Sequence, residues 1–425
     1  MLRLTGFGLC LLVVWAASEN TLLADERQAS ELKVSADFDG GSVRVLSIDD
    51  ERSTISFTPG GDPNRGWPCW WYFRLDGLGD GQAAVLELSG SPASARNNGR
   101  DTGKPLDAGW AMAERAAVSN DGITWLQTEP GQKAGGKIRY KVVGTGKPLW
   151  VAWGPPFTPK ETERLIADVK KRQPGVDDFV LTTTRGGRPV QGLHLRAAEK
   201  PKAPVIWIQA RQHAWESGAS WVGQGLVEWL ISGDEEAARL RSSVDVFVIP
   251  IMDVDNVATG NGGKEADPRD HNRDWAEKPV YPEIEATQGR LKEFAKDGRL
   301  DLFVDLHNPA PGDKRPFFFV PPASLLAPLG QLRRERFLEM AARHIRDPLP
   351  LDEKPRLTGA NYHPLWRQIS TVWVNENGNP GTVAVCLETS WNTPHSTTEG
   401  YRTVGRQLGL AIAEFVRNRP EEKQP

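Results

Sequence analysis

The chain has 425 residues, which is enough for two domains. Hydrophobic residues make up 39% and charged residues 25%, the balance of a soluble globular protein. With 52 Lys and Arg against 55 Asp and Glu, the net charge is −3, so we expect neither nucleic acid nor an acidic membrane surface as a partner.

The amino terminus has the pattern of a secretory signal peptide over residues 1–24. Arg3 precedes an apolar stretch, and small residues follow near 16–18 and at Ala24. The stretch is short for a bilayer span, although an uncleaved anchor is the alternative. We therefore expect an exported protein, periplasmic or secreted, with no membrane span left after signal removal. Cys69 and Cys386 would remain, and we expect both to be unpaired and buried.

Residues 31–153 are predicted to form an all-β sandwich domain. Short alternating runs are separated by Gly, Asp, Asn and Pro at sandwich-like intervals. These runs are 42–48, 54–57, 70–75, 84–88 and 138–143. His, Cys and carboxylate residues do not cluster in a metal-like spacing in this region, so it is expected to serve packing or recognition.

Residues 155–418 are predicted to form an α/β/α domain with a mixed sheet, followed by a polar tail at 419–425. Thr158 with Glu161 and Pro159 indicates a helix that starts there and runs to about 172. The runs 180–184 and 190–195 flank two glycines and predict a hairpin. Further strands are predicted at 204–210, 244–251, 301–307, 316–320 and 382–388, and helices at 217–232, 283–296, 331–346 and 402–417.

Two of the predicted strands end in residues that suit a metal site. His213 and Glu216 follow the strand 204–210, and His307 ends the strand 301–307. Two imidazoles and one carboxylate match an open, three-ligand catalytic zinc site, although other transition metals accept the same set. Asp305 lies on the same strand face as His307 and is expected to orient it.

Four other histidines compete with these residues as ligand candidates. His271 and His344 each precede an Asp at ligand-like spacing, but His344 falls late in an amphipathic helix and suits a surface position. His271 is a poorer ligand candidate that would line the cleft. His363 and His395 lie in predicted loops, where a solvated position is favoured over substrate contact.

Two further segments supply groups for hydrolysis. Arg273, next to Asn272 in a loop, offers a planar fork for a carboxylate. Glu388 ends the apolar strand 382–388 and suits the general base beside a zinc-activated water. A zinc ion, a base and a carboxylate anchor together describe removal of a C-terminal residue from a peptide.

In these residues the chain resembles the zinc metallocarboxypeptidases, and within them the cytosolic carboxypeptidase branch that includes the tubulin deglutamylases. The similar segments follow one another in the same order over nearly the whole mature chain. They are 37–41 and 71–73 in the β domain, 154–158 at the junction, and 212–216, 270–273, 305–307 and 387–390 in the α/β domain. The resemblance implies one zinc ion per chain and peptide or protein C-termini as partners. Members of that branch are mostly intracellular, whereas the predicted signal peptide makes this chain an exported, bacterial-type member, so tubulin is not the expected substrate.

The chain departs from that family at two positions. The family has an oxyanion-stabilising Arg upstream of the Asn-Arg pair, where this chain offers only Lys264. The substrate-binding Tyr of many relatives has Tyr362 as its nearest candidate. Two other functions therefore stay open: a zinc amidase or deacylase acting on N-acyl amino acids or wall peptides, and a catalytically inert binding protein. The sequence gives neither the preferred C-terminal side chain nor the oligomeric state.

Overall fold

The computed structural model describes residues 31–197 and 202–419. The predicted signal peptide 1–24 and residues 420–425 of the predicted tail lie outside these ranges, so export stays a prediction. Within the described ranges, no helix combines the length and apolar character needed to cross a membrane.

The amino-terminal domain is built from short strands. They are β1 (Lys33–Ser35), β2 (Arg44–Asp49), β3 (Thr54–Thr58), β4 (Tyr72–Asp76), β5 (Ala83–Ser89), β6 (Ser94–Asn97), β7 (Arg100–Pro105), β8 (Ala117–Ser119), β9 (Leu126–Gln127), β10 (Gln132–Ala134), β11 (Lys137–Val143) and β12 (Leu149–Ala152). One five-stranded sheet has the order β1-β4-β12-β8-β9 and the other β10-β11-β5-β3-β2, with the β6-β7 hairpin apart. The two sheets enclose a single hydrophobic core, so the sandwich prediction is confirmed.

Strand β11 illustrates why these segments form a sandwich. Its residues alternate strictly between exposed and buried, with Ile138, Tyr140 and Val142 facing inward. A strand with this period-two pattern covers a core with one face and meets water with the other. Inside the core Tyr140 packs against Trp71, which directly precedes strand β4 of the other sheet.

The second domain alternates strands and helices. Its strands are β13 (Asp177–Thr183), β14 (Pro189–Leu195), β15 (Val205–Ala210), β16 (Asp245–Ile249), β17 (Leu300–His307), β18 (Phe317–Val320), β19 (Arg356–Leu357) and β20 (Val383–Glu388). Its helices are α1 (Pro159–Arg172), α2 (Ser217–Leu230), α3 (Glu235–Ser243), α4 (Val254–Ala258), α5 (Pro282–Lys296), α6 (Pro328–His344), α7 (Ser370–Asn377) and α8 (Thr398–Arg417).

These strands form one eight-stranded mixed sheet in the order β13-β14-β16-β15-β17-β20-β18-β19. The four central strands β16, β15, β17 and β20 are parallel, and every residue of β15, β17 and β20 is buried. Helices α2, α6 and α8 pack together as one layer, and α5 and α7 pack together as another. The predicted α/β/α class is therefore confirmed, and its parallel strands all end at one edge of the sheet.

Helices α2 and α8 approach each other closely because glycines lie between them. A Cβ on Gly225 would come within 2.1 Å of the carbonyl oxygen of Arg402, and a Cβ on Gly405 within 2.0 Å of that of Val222. Only glycine permits this backbone contact. The start of α2 follows directly on Glu216, so this packing holds the segment that carries two predicted metal ligands.

The structure differs from the sequence predictions mainly in short elements. Helices α3, α4 and α7 were not predicted, because α3 fills the gap between two strong apolar segments, α4 has only five residues, and α7 is short and rich in β-branched residues. Helices α6 and α8 begin three and four residues earlier than predicted. For α6 the reason is Pro328 at the first helical position, and for α8 it is the side-chain cap of Thr397.

The two domains share a tightly packed boundary. Trp215 and Trp391 of the second domain are buried within the hydrophobic core of the sandwich. Gly66, with a φ of 115°, lies so close to Gly263 that a Cβ would be 2.2 Å from its backbone nitrogen. The Trp67 N–H donates to the carbonyl oxygen of Lys264 at 2.9 Å. The sandwich is thus packed directly against the segments 211–216 and 260–266.

Candidate active site

Three parallel strands deliver polar side chains to the same edge of the sheet. Strand β15 ends at Ala210 and leads into the segment 211–216, which carries His213 and Glu216. Strand β17 ends at His307 and β20 at Glu388, and these two residues are partners in the parallel register. Because these parallel strands end at the same edge of the sheet, residues that are far apart in sequence come together there.

His213, Glu216 and His307 form a compact buried group. Their ligand atoms all lie within 4.8 Å of one another. Nδ1 of His213 is 2.8 Å from Oε1 of Glu216, and Nδ1 of His307 is 2.7 Å from Oε2 of the same carboxylate. Both imidazoles therefore present the same ring nitrogen to one shared space, which is the donor set of a zinc site. The three residues are a candidate metal site, as predicted.

Two further carboxylates fix the imidazole rings through their Nε2 atoms, on the side away from Glu216. Nε2 of His213 is 3.0 Å from Oδ1 of Asp270, and Nε2 of His307 is 3.2 Å from Oδ2 of Asp305. An Nε2–H that donates to a carboxylate leaves Nδ1 with its lone pair free for a metal. The predicted orienting role of Asp305 toward His307 agrees with this contact.

Asp305 is itself held by neutral donors. Gln212 donates to it from its side-chain amide, Ser370 from its hydroxyl, and Gln209 at 3.5 Å. The Gln212 carbonyl in turn accepts a hydrogen bond of 2.7 Å from the indole of Trp275. This network is buried, so each of its hydrogen bonds restricts the carboxylate that aims His307.

The charge of this cluster also suits a cation. Three buried carboxylates, Glu216, Asp270 and Asp305, surround two imidazoles. Burial opposes a charge on His307, but Asp305 and Glu216 outweigh it and raise the pKa of His307 well above its usual value. The surroundings thus favour a positive charge here, and a divalent metal would supply it while leaving both imidazoles neutral.

Glu388 lies beside this cluster with one oxygen unsatisfied. In the described part of the chain its Oε2 is buried without a hydrogen-bond partner, while Oε1 faces the Cys386 thiol at 3.7 Å. Burial and the nearby negative charge of Glu216 raise the pKa of Glu388 to about 7, although His307 opposes the shift. A carboxyl group with a pKa near neutrality and a free oxygen in a cleft has the properties of a general base.

Asn272 and Arg273 lie next to the metal cluster on a single turn of 3-10 helix. The Asn272 carbonyl oxygen Oδ1 accepts from the backbone N–H of Ser370 at 2.9 Å, and its Nδ2 lies 3.4 Å from Nε2 of His307. That His307 nitrogen already donates to Asp305, so the amide hydrogens of Asn272 remain available. Arg273 is buried, and its Nε has no partner among the described residues.

Lys264 and Tyr362 complete the predicted set. The Lys264 ammonium is 4.0 Å from Oδ2 of Asp270 and 5.3 Å from the ring centre of Trp67. The Arg273 guanidinium lies 5.9 Å from the ring centre of Tyr362, whose side chain is exposed. Together with the metal cluster, Asn272 and Glu388, these residues line one cleft of about 290 Å³. The structure thus brings every predicted site residue together, while their roles in turnover stay predictions.

Two predictions about the other histidines were wrong. His271 does not line the cleft; it is buried 2.7 Å from Glu283 and stacks on Tyr281. His363 is not solvated, because its side chain is only 11% exposed and its Nε2 faces Oε1 of Glu265 at 4.0 Å. Burial and the charge of Arg273 lower the pKa of His363 to about 4.

The remaining histidines and cysteines agree with their predictions. His344 pairs with Glu414 at 2.7 Å on the outer face of the helical layer, and His395 is exposed. Cys69 and Cys386 are both free and buried. Cys386 nevertheless lines the cleft, two residues before Glu388 on the same strand face.

Sequence reasoning missed several groups that build the site. Asp270 could have been found, because it lies two residues before Asn272 in a loop already singled out. Ser370 carries no local signal, since it meets Asp305 only through the packing of α7 on the sheet. The cleft wall formed by Phe317, Phe319 and Arg356 was also missed, although Arg356 stacks on Phe317 at 3.5 Å.

Comparisons with known families agree with this geometry. The model of the zinc carboxypeptidase family matches residues 162–307, and the model of the cytosolic carboxypeptidase N-terminal domain matches residues 34–153. The first segment contains the three candidate metal ligands, Lys264 and the Asn272-Arg273 pair. Glu388 and Tyr362 lie beyond it, so their assignment depends on the geometry of the cleft.

Individual relatives are similar over different lengths. An uncharacterised protein of Zymomonas mobilis is 27% identical over 277 residues, which cover 64% of this chain and 68% of that protein. Cytosolic carboxypeptidase 1 of Gallus gallus is 36% identical over 107 residues, 24% of this chain and only 9% of that much longer protein. A metallo-carboxypeptidase structure from Burkholderia cenocepacia superimposes with a TM-score of 0.75 at 22% identity, covering 91% of this chain and 99% of that one. This last likeness shows a shared fold.

Proposed function

The chain belongs to the zinc carboxypeptidase family, with the amino-terminal domain of cytosolic carboxypeptidases ahead of its catalytic domain, and we propose that it hydrolyses the C-terminal amide bond of peptides. The observation that carries this proposal is one cleft that combines a candidate metal site, a buried carboxyl group with a free oxygen, and a buried arginine. Each of these groups has a separate task in that reaction.

The metal ligands would be His213, Glu216 and His307. A bound zinc ion would supply a Lewis acid, which polarises the scissile carbonyl and makes a water molecule more acidic. The chain prepares this site by aiming both Nδ1 atoms into one space through Asp270 and Asp305. Because the rings are fixed in advance, little reorganisation is needed when the metal binds.

Glu388 is proposed as the proton carrier. Its free Oε2 can accept a proton from the attacking water and pass that proton to the leaving amine nitrogen as the carbon–nitrogen bond breaks. A pKa near 7 suits both transfers, since the group must gain and lose a proton in each turnover. No other described carboxyl group in the cleft combines burial with a free oxygen, because Glu216 bonds to both histidines and Asp313 pairs with Arg356.

Arg273 and Asn272 are proposed as the anchor for the substrate's terminal carboxylate. Within the described part of the chain, the Arg273 guanidinium donates one hydrogen bond, to the backbone carbonyl oxygen of Asn272 at 2.7 Å, and so has further donors available. A buried guanidinium of this kind gains much from a planar carboxylate partner. Lys264 lines the same cleft, with its ammonium 4.0 Å from Asp270, and is the proposed donor to the oxygen that becomes negative during attack.

The test is to incubate the zinc-loaded protein with a pool of peptides that differ in their C-terminal residues, and to identify the products by mass spectrometry. Loss of single C-terminal residues is the expected result. Release of an N-acyl group instead would favour the amidase or deacylase alternative. Binding of peptides without any cleavage, with zinc content verified, would favour the inert binding protein and refute the proposal.

A further inference from the structure

Two tryptophans of the sandwich domain lie in the wall of the catalytic cleft. Trp67 and Trp110 are half-buried, and their rings meet edge to face with centroids 4.7 Å apart. Most other aromatic side chains of the sandwich lie inside its core. We propose that these two indoles form a subsite for the side chain that precedes the C-terminal residue of the substrate, and that they select an apolar or aromatic side chain there. This inference depends on the proposed function.

Both rings are fixed in place by contacts on several sides. The Trp67 indole N–H donates to the Arg96 carbonyl oxygen at 3.0 Å, and its backbone N–H donates to Lys264. The Trp110 ring packs edge to face on the rings of Trp67 and Trp215, with centroid distances of 4.7 and 5.6 Å. Rings already ordered in the free protein lose little conformational freedom when a ligand packs on them, so their contact area translates efficiently into affinity.

The position of the pair relative to the catalytic groups follows from the ring contacts. Trp110 packs edge to face on Trp215, which stands between the ligands His213 and Glu216, with centroids 5.6 Å apart. The Trp67–Trp110 pair therefore lies directly beside the segment 211–216, which carries the metal ligands His213 and Glu216 and is called the metal-binding segment below. On its other flank lies Lys264, 5.3 Å from the Trp67 ring.

Arg273, the proposed anchor for the substrate carboxylate, lies beside a different group of aromatic rings. Arg273 faces Tyr362, which packs on Phe319 at 4.9 Å, and Phe319 in turn packs on Phe317. Across the described residues, no ring contact joins this group to Trp67 or Trp110. The cleft thus has one aromatic wall at the anchor and another at the sandwich side of the metal-binding segment.

A peptide whose terminal carboxylate meets Arg273 must place its scissile bond at the metal-binding segment. Its last side chain then lies along the wall of Phe317, Phe319 and Tyr362, and the preceding residue extends past the segment towards Trp67 and Trp110. On that side the positive charge of Lys264 is balanced by the carboxylate of Asp270, 4.0 Å away. The exposed indole surface therefore favours an uncharged ring or aliphatic group.

The experiment uses two peptides that share the C-terminal residue cleaved best and differ only in the preceding residue, Phe in one and Ser in the other. We expect wild type to prefer the Phe peptide by about tenfold in kcat/KM, the scale of one aromatic packing contact. In Trp67→Leu and in Trp110→Leu the preference should fall to near unity, while discrimination among C-terminal residues is retained. An unchanged preference in both variants would overturn the inference.

The half-buried Trp150, which lies on β12 and outside the cleft, provides the matched control. Trp150→Leu should retain the wild-type preference, and zinc content should be equal in all variants. The same two peptides are then titrated by calorimetry into zinc-loaded Glu388→Gln, with and without Trp67→Leu. If wild type cleaves no peptide, the proposed function fails; a Phe preference in binding that Trp67→Leu removes would still support the subsite, and equal binding of both peptides would overturn it.

Discussion

The buried ion cluster around His271 gives a quantitative prediction for stability. Its Nε2 lies 2.7 Å from Oε1 of Glu283 and its Nδ1 lies 3.5 Å from Oδ2 of Asp253, with the ring stacked on Tyr281. Burial alone would lower the pKa of His271, but Asp253 and Glu283 outweigh it and raise the pKa from 6.5 to about 9. The folded protein therefore holds a proton that the unfolded chain releases.

A rise of the pKa from 6.5 to about 9 corresponds to about 3 kcal/mol of stability. Because the folded-state pKa is the higher one, this contribution is fully present below about pH 6.5 and is lost as the pH rises through about 9. We expect His271→Gln to lower the free energy of unfolding by about 3 kcal/mol at pH 6, and by much less at pH 9.5. Unfolding in urea at a series of pH values measures the difference.

Both proteins are compared in excess chelator, so that metal affinity does not contribute. The exposed His395 provides the control, and His395→Gln should follow wild type at every pH. A difference between wild type and His271→Gln that is equal at pH 6 and pH 9.5 would show that His271 is not held protonated by its two carboxylates.

Four further predictions concern the cleft. Glu388→Gln should lower kcat by at least about 100-fold while zinc stoichiometry is unchanged, measured by turnover and metal analysis; an undiminished rate removes Glu388 from the reaction. The acid limb of kcat/KM in wild type should have its midpoint between the ordinary value of 4.5 and about 7, because burial raises the pKa of Glu388 and a bound cation lowers it; a limb above pH 8 would contradict this. Asp305→Asn should weaken zinc binding by about 10- to 100-fold in chelator competition, because His307 loses its orienting partner. Lys264→Met should lower kcat more than it raises KM, and the opposite split would make Lys264 a binding residue only.

The sequence was sufficient for the residues whose position follows from strand ends. His213, His307 and Glu388 each follow or end an apolar strand, and parallel strands in register bring such residues to one edge. The order of the segments along the chain then identified the family. The long apolar strands and amphipathic helices could be predicted because the hydrophobic period and the length of a segment are local properties of the sequence.

Other features of the site depend on packing that no local pattern encodes. Ser370 meets Asp305 from a helix 65 residues further along the chain. Trp67 and Trp110 reach the cleft only because Trp215 is buried in the sandwich core, which aligns the two domains. His271 was expected to line the cleft with its loop neighbours Asn272 and Arg273, whereas it is buried in a separate cluster with the carboxylates of Asp253 and Glu283.

The central claim is that the cleft recognises and removes a residue with a free terminal carboxylate. The most direct test gives the zinc-loaded protein one peptide in two forms, with a free C-terminus and with a C-terminal amide, and compares kcat/KM for the last bond. We predict that the free acid is cleaved at least about tenfold faster than the amide. Arg273→Gln should remove this preference, because the glutamine that replaces the guanidinium carries no charge. Equal cleavage of the two forms by wild type, or cleavage only at internal bonds, would contradict the account.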